Sequence, residues 1–494
     1  MNRIFRNSLF SFGSSSISLP INFFLIPYVL AKIGKEGYGL WALIGVIANY
    51  QVFVDFGLTS TLVRFVAKEE TDRKYKNVNE YLATSFVTFL VLWLAAYTIL
   101  LIFSRPIAVH VLRVQQNIDI AVFLITISGF CVILNLSAGL FKSILDGAQR
   151  MEISNSLLII QTLISALGTF CVLQMGLGLR GLGINLALIS VVNLIASFYV
   201  IRRTFPHVKI NPFLFRRERL KEMLAYSINL QLSGLLRMWI EPLNKILISN
   251  LFSITYVGYY EIALKLSSSL TSILRSGLMP IFPASAEMNQ ISGLKKVDAL
   301  RLKSIKFMYP MAFFAYVLMI SAAPNFIRIW LGPEYHIVSS LTIVFLIGAF
   351  VSILNTPAYV ILNGIGYARD VTKSTLSAVA VNVTFALGLA FLFGFMGFCI
   401  GYSISMVYGF FAINYFYVKR FGQSAKMYKC YANIKVIIAN AIVFVLAFLL
   451  KQQFYLSNYF LIGIYCFFAS IIYIYLIYVF KIFNQDDLHA LFGR

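Results

Sequence analysis

The sequence predicts an all-α polytopic membrane protein of about fourteen spanning helices. Three observations predict it: apolar runs of spanning length recur from one end to the other, the composition is too apolar for a soluble globule, and basic residues collect in alternate connections. Of the 494 residues, 60% are hydrophobic and 12% charged, and the mean hydropathy is +0.81. A spanning helix needs roughly 20 mostly apolar residues, each adding about 1.5 Å across an apolar layer about 30 Å thick.

In chain order the runs predict helices at 8–31, 39–66, 80–103, 118–145, 153–176, 181–201, 223–250, 256–288, 305–323, 338–362, 373–394, 397–418, 434–450 and 459–480. Arg3 and Arg6 precede the first run, Asn7 to Ala31. That run is longer than a signal-peptide core and has no small-residue cleavage site, so it is expected to remain as the first helix. Pro20, Pro27, Pro242, Pro280, Pro283 and Pro357 fall within or beside runs, where proline bends a helix or frees a carbonyl. The aromatic cluster Tyr256, Tyr259 and Tyr260 is expected to form part of an interfacial belt.

An even number of crossings puts both termini on one side. One set of connections holds 28 Lys and Arg, including seven from Arg202 to Lys221; the other holds 7, at Lys32, Lys35, Arg105, Arg113, Arg180, Arg328 and Lys451. Basic residues favour the cytoplasmic side, so both termini are expected there. The formal charge of +22 is therefore a topology signal, and no nucleic-acid partner is expected. The longest connection, around Arg202 to Lys221, is basic, and the outward connections are short, which disfavours a membrane-embedded glycan polymerase or ligase.

The chain also resembles itself. Glu36 to Ala42, EGYGLWA, matches Val257 to Ala263, VGYYEIA, and Leu145 to Gly147, LDG, matches Leu362 to Gly364, LNG. The near-equal offsets suggest two six-helix lobes in the same orientation, related by a pseudo-twofold along the membrane normal. The expected organisation is 1–205 as the N-terminal lobe, 206–222 as a basic cytoplasmic linker, 223–420 as the C-terminal lobe and 421–494 as two further helices with a short tail.

Ionisable side chains in mid-membrane cost about 2.5–3.5 kcal/mol, so they mark cavities or partners. Arg237, Glu241 and Lys245 recur at intervals of four and share a helix face. They are either a self-neutralising ladder or the lining of a wet cavity that favours an anion. Glu261, Lys265 and Arg275 follow in the next run, Asp55 and Arg64 lie in the second, and Lys142, Asp146 and Arg150 end the fourth. The last three are a ladder reaching into water or an inward gate. Arg64 either snorkels or touches substrate, and Asp55 is a candidate for cation coupling. Five cysteines, Cys131, Cys171, Cys399, Cys430 and Cys466, and four histidines, His110, His207, His336 and His489, show no metal-ligand spacing. No Walker A pattern accompanies Gly34 and Lys35. Neither a cofactor, a metal nor a catalytic residue is expected.

The segments FSFGSSSISLPINFFLIPYVLAKIGKEGYGLWALI from Phe10, DFGLTSTLVRFVAK from Asp55 and NKILISNLFSITYVGYYEIALKL from Asn244 resemble the polysaccharide and O-antigen flippases of the multidrug/oligosaccharidyl-lipid/polysaccharide exporter superfamily. The resemblance covers essentially the whole chain. It implies an alternating-access translocator in a bacterial inner membrane. Its cargo would be a polyprenyl-pyrophosphate-linked glycan, and its surroundings membrane lipids, with a polysaccharide polymerase and a chain-length regulator as partners. It further implies that Arg237, Lys245, Lys265 and Arg275 would meet phosphate or glycan in a cationic cavity. From their places in the runs, Arg64 is a further candidate substrate contact, and Glu241, Asp55, Lys142, Asp146, Arg150 and Glu261 are candidates for gating or ion coupling. A lipid II flippase and a multidrug antiporter belong to the same superfamily; the first predicted helix here, from Ser8, contains no acid of the kind the antiporters use.

Overall fold

The computed structural model describes residues 3–49, 55, 57–71, 75–208, 211–276, 278, 281, 285, 288, 294–422, 431, 433–453 and 458–483, some of them by backbone alone. Those residues are helical almost throughout, as the apolar runs require: a backbone surrounded by lipid must satisfy its N–H and C=O groups internally. They fall into two compact units, Met1–Tyr259 and Tyr260–Arg494.

In the first unit α1 is Arg3–Asn49, carrying Pro20 and Pro27 and interrupted at Gly34 (φ 73, ψ 174). Only a residue without Cβ takes that conformation without strain, so the expected gap between the first two helices is a kink. The second expected helix is in turn divided. Gly57 has φ 74, and α2, Leu58–Thr71, begins behind Asp55, whose Oδ1 accepts from the Thr59 backbone N–H at 2.9 Å and from its hydroxyl at 2.5 Å. There follow α3, Tyr75–Pro106, with a π-helical turn at Ile107–Val111, then α4, Ile118–Gly147, α5, Met151–Gln174, and α6, Gly178–Thr204. After a 3₁₀ turn at Pro212–Leu214 come α7, Arg217–Leu251, and α8, Ile254–Ser276, which straddles the boundary between the units. The core joins α2, α3, α4 and α7 through Leu62, Phe65, Tyr81, Leu140, Phe141 and Met223. Helices α5 and α6 meet where the Asn185 amide donates to Ser165 O at 3.2 Å and Thr169 Oγ1 at 3.1 Å.

The second unit holds the rest of α8, α9, Leu294–Leu331, and a 3₁₀ turn at Pro333–Tyr335. The expected helix 338–362 is here two pieces, α10, His336–Ile353, and α11, Thr356–Gly364, separated at Leu354 and Asn355, with Pro357 in the first turn of the second. Helix α12, Ala368–Phe421, is interrupted at Gly394 (φ 62, ψ −145), which divides the expected 373–394 and 397–418. Then come α13, Ile434–Gln453, and α14, Tyr459–Val479. Tyr260 is fully buried, edge-on to Phe345 at 5.3 Å, so this member of the tyrosine cluster is core and not belt.

Among the described residues, eight helices are long and apolar enough to cross a membrane. Many of their large apolar side chains face outward, among them Phe391 at 83% exposure and Phe460 at 75%. In water such a surface would aggregate; in hydrocarbon it is solvated. The chain is therefore a multi-pass membrane protein.

Candidate functional site

The fourth expected site group is taken apart by a turn. Helix α4 ends at Gly147, Gln149 has φ 60, and Arg150 is the N-cap of α5, so Arg150 does not continue the face of Lys142 and Asp146. Its partner is Glu152, at 3.5 Å. Lys142 is half-buried and donates to Gln161 Oε1 of α5 at 3.3 Å, while Asp146, one turn along from Lys142, takes a hydrogen bond from Ser154. Asp55 caps α2 as described, and Arg64, in that helix, is exposed.

The turn at Gln149 has a counterpart 217 residues on. Arg150 N–H donates to Leu145 O at 2.8 Å, and Gln149 N–H to Asp146 O at 3.1 Å; Tyr367 N–H donates to Leu362 O at 2.8 Å, and Gly366 N–H to Asn363 O at 3.2 Å. Gly366, like Gln149, has positive φ. The LDG and LNG segments thus end their helices with the same closing bonds, each within its own unit.

The EGYGLWA segment meets the start of α8 inside the first unit. A Cβ on Gly39 would lie 1.9 Å from Ile254 O, and one on Gly258 would lie 3.2 Å from Lys35 O. Backbones approach that closely only through small residues.

On α7, Lys245 is 6% exposed beside the fully buried Asn244, and Glu241 is exposed; the Arg237 side chain lies outside the described residues. On α8, Lys265 Nζ stands 3.8 Å from Glu261, with the lysine 48% exposed and the glutamate 15%. This i,i+4 pair is the self-neutralising arrangement that sequence spacing suggested for α7. Arg275 is half-buried and lies within electrostatic reach of Tyr316, whose hydroxyl is 2.7 Å from Thr271 Oγ1.

Three cation–aromatic–carboxylate clusters were not singled out from sequence. Arg219 donates to Glu80 at 3.2 Å, to the Tyr81 hydroxyl at 3.0 Å, to Asn77 at 3.1 Å and to Glu222 at 3.4 Å, and its guanidinium lies 4.7 Å from the Tyr81 ring. Burial works against its charge, but the Glu80 and Glu222 hydrogen bonds and the Tyr81 and Glu80 charges outweigh it, holding Arg219 above its ordinary pKa. In the second unit Arg301, 1% exposed, donates to Asn414 and lies over Tyr417 at 3.7 Å, which donates to Asp298 at 3.3 Å. Arg420 donates to Asp370 at 2.7 Å. In sequence these arginines registered only as topology signals; the acids Glu80, Asp298 and Asp370 near the same ends were the available clue.

A family model described as polysaccharide biosynthesis protein matches residues 4–289. The putative O-antigen transporter of Shigella flexneri is 22% identical over 434 residues, 84% of this chain and 98% of that protein. The uncharacterized membrane protein EpsK of Bacillus subtilis (strain 168) is 25% identical over 388 residues, 76% of this chain and 74% of that one. Among solved structures, the lipid II flippase MurJ in an inward closed conformation superposes with TM-score 0.72 at 14% identity, covering 96% of this chain and 98% of that one. An inward-facing multidrug resistance MATE family transporter of the MOP superfamily gives 0.71 at 15% identity, covering 83% and 94%. The fold is that of these membrane transporters.

Proposed function

This chain belongs to the polysaccharide biosynthesis protein family, and on that premise we propose that it is a flippase for an undecaprenyl-pyrophosphate-linked oligosaccharide. The cargo is the repeat unit of O-antigen or another surface polysaccharide. It moves from the cytoplasmic to the periplasmic leaflet of a bacterial inner membrane by alternating access, without catalysis by the protein itself. Fourteen crossings, two like-oriented six-helix lobes and cytoplasmic termini are part of the proposal.

The observation that carries the chemistry is a lysine, Lys245, 6% exposed in α7, within a stretch that also supplies Arg237, Lys265 and Arg275. Its ammonium, with the other cations of that stretch, offers charge-assisted hydrogen bonds of the kind pyrophosphate oxygens accept. Arg237, Lys245, Lys265, Arg275 and Arg64 are proposed to meet the cargo while its polyprenyl tail stays in lipid. Gating or ion coupling would draw on Glu241, Glu261, Lys142, Asp146, Arg150 and Asp55. A polysaccharide polymerase with its chain-length regulator would consume the product outside.

Removing the protein from its cell separates this reading from a polymerase. The flippase reading expects lipid-linked units to accumulate on the cytoplasmic leaflet, protected from an impermeant glycosidase added outside. Single units accumulating on the outer leaflet would contradict it and point to polymerisation.

A further inference from the structure

The connection between α6 and α7 carries a surface outside the proposed cargo site. Phe213 sits on the 3₁₀ turn Pro212–Leu214, fixed by its own N–H donating to Asn211 Oδ1 at 3.1 Å, and it is 96% exposed. Phe215, two residues on, is also exposed. A capped turn that holds a phenyl ring away from its own protein is unfavourable in water and favourable where the ring enters lipid.

The exposed charges flanking this turn in the chain are mostly basic. Arg202 and Arg203 are exposed at the end of α6, each over a ring one turn back, Phe198 at 5.3 Å and Tyr199 at 5.1 Å. Arg216, Arg217 and Lys221 are exposed where α7 begins. Among the described residues, no carboxylate pairs with any of these five. Of the nearby acids, Glu80 and Glu222 are engaged by Arg219, and Glu218 is exposed beside Arg217.

We propose that Phe213 with Arg202, Arg203, Arg216 and Arg217 forms an interfacial anchor that binds anionic phospholipid headgroups. The depth argues for lipid over an acidic protein: the apolar run of α6 ends at Ile201, so the next two arginines stand at headgroup level, where arginines and aromatic rings are at home. Guanidinium groups bind phosphate oxygens in pairs. Each basic side chain at an anionic surface contributes about fivefold in affinity, and Phe213 adds an apolar wedge of the kind that holds interfacial segments in place.

The test uses the full-length protein in nanodiscs of phosphatidylglycerol and phosphatidylcholine in equal amounts, with the lipids retained on detergent extraction identified by mass spectrometry. The natural sequence is expected to retain phosphatidylglycerol preferentially. Replacing the four arginines by glutamine is expected to reduce that preference about tenfold or more, replacing them by lysine to preserve most of it, and Phe213→Ser to weaken it. Lys32→Gln with Lys35→Gln, at the opposite end of the spans, is expected to leave it intact. An unchanged preference in a monodisperse four-glutamine variant would overturn the proposal. So would displacement of the phosphatidylglycerol by inorganic pyrophosphate, which would assign the arginines to the cargo, or by polyglutamate, which would assign them to an acidic protein.

Discussion

Asp55 illustrates how one carboxylate serves two readings. Its depth in a predicted apolar run suggests ion coupling, yet its oxygen accepts both the backbone and side-chain hydrogens of Thr59 at the head of α2. Losing such a cap costs about 1 kcal/mol, and asparagine caps nearly as well. Asp55→Ala is therefore expected to lower the thermal midpoint in detergent while Asp55→Asn leaves it in place; equal destabilisation by both would contradict the cap. Arg219 is the sharper structural case. Removing a half-buried guanidinium that bonds Glu80, Tyr81, Asn77 and Glu222 breaks four contacts of one network at once, so Arg219→Gln is expected to cost about 2 kcal/mol. Lysine there is expected to recover less than half, because an ammonium cannot form the same planar fork. A melting curve for each variant decides it.

At the scale of elements, glycine sets how closely α1 approaches the first residues of α8 within the first unit. Gly39 lies so near Ile254 O that any Cβ must push backbone against backbone, and Gly39→Val is expected to cost about 3 kcal/mol, read as loss of monodisperse protein. Gly45, in the same helix with nothing described within 4 Å, is the control: Gly45→Ala is expected to be neutral or to stabilise by about 0.5–1 kcal/mol. Most helices were legible in the sequence because apolar length and the basic bias of connections are local quantities. Breaks inside helices were less so. Gly34 and Gly394 take non-helical φ/ψ where helix boundaries were expected, between 8–31 and 39–66 and between 373–394 and 397–418, whereas Leu354 with Asn355 divides an apolar run expected to form one helix. The clusters were invisible for another reason: Glu80 and Arg219 are 139 residues apart, and Arg301 and Asn414 are 113 apart. Spacing within one helix suggested a ladder through Lys142, Asp146 and Arg150, and the positive φ of Gln149 is what removes the last of them.

For the whole molecule, the charge asymmetry makes a topological claim that labelling can check. In a variant without native cysteines, Glu218→Cys is expected to react with an impermeant thiol reagent only in inside-out membranes, and Gln115→Cys only in right-side-out ones; the reverse pattern would invert the orientation. The closing bonds at Leu145–Arg150 recur 217 residues on at Leu362–Tyr367, as the proposed internal repeat expects. On the proposed reading, basic side chains of α7 and α8 carry the phosphates across. The most direct measurement is transfer of a fluorescent polyprenyl-pyrophosphate glycan across vesicles containing the purified protein, with Arg237→Ala, Lys245→Met and Lys265→Ala beside the natural sequence. The account predicts protein-dependent transfer that each substitution slows about tenfold, the loss of one charge-assisted hydrogen bond. Transfer at the same rate in all three variants, or none above empty vesicles, would contradict it.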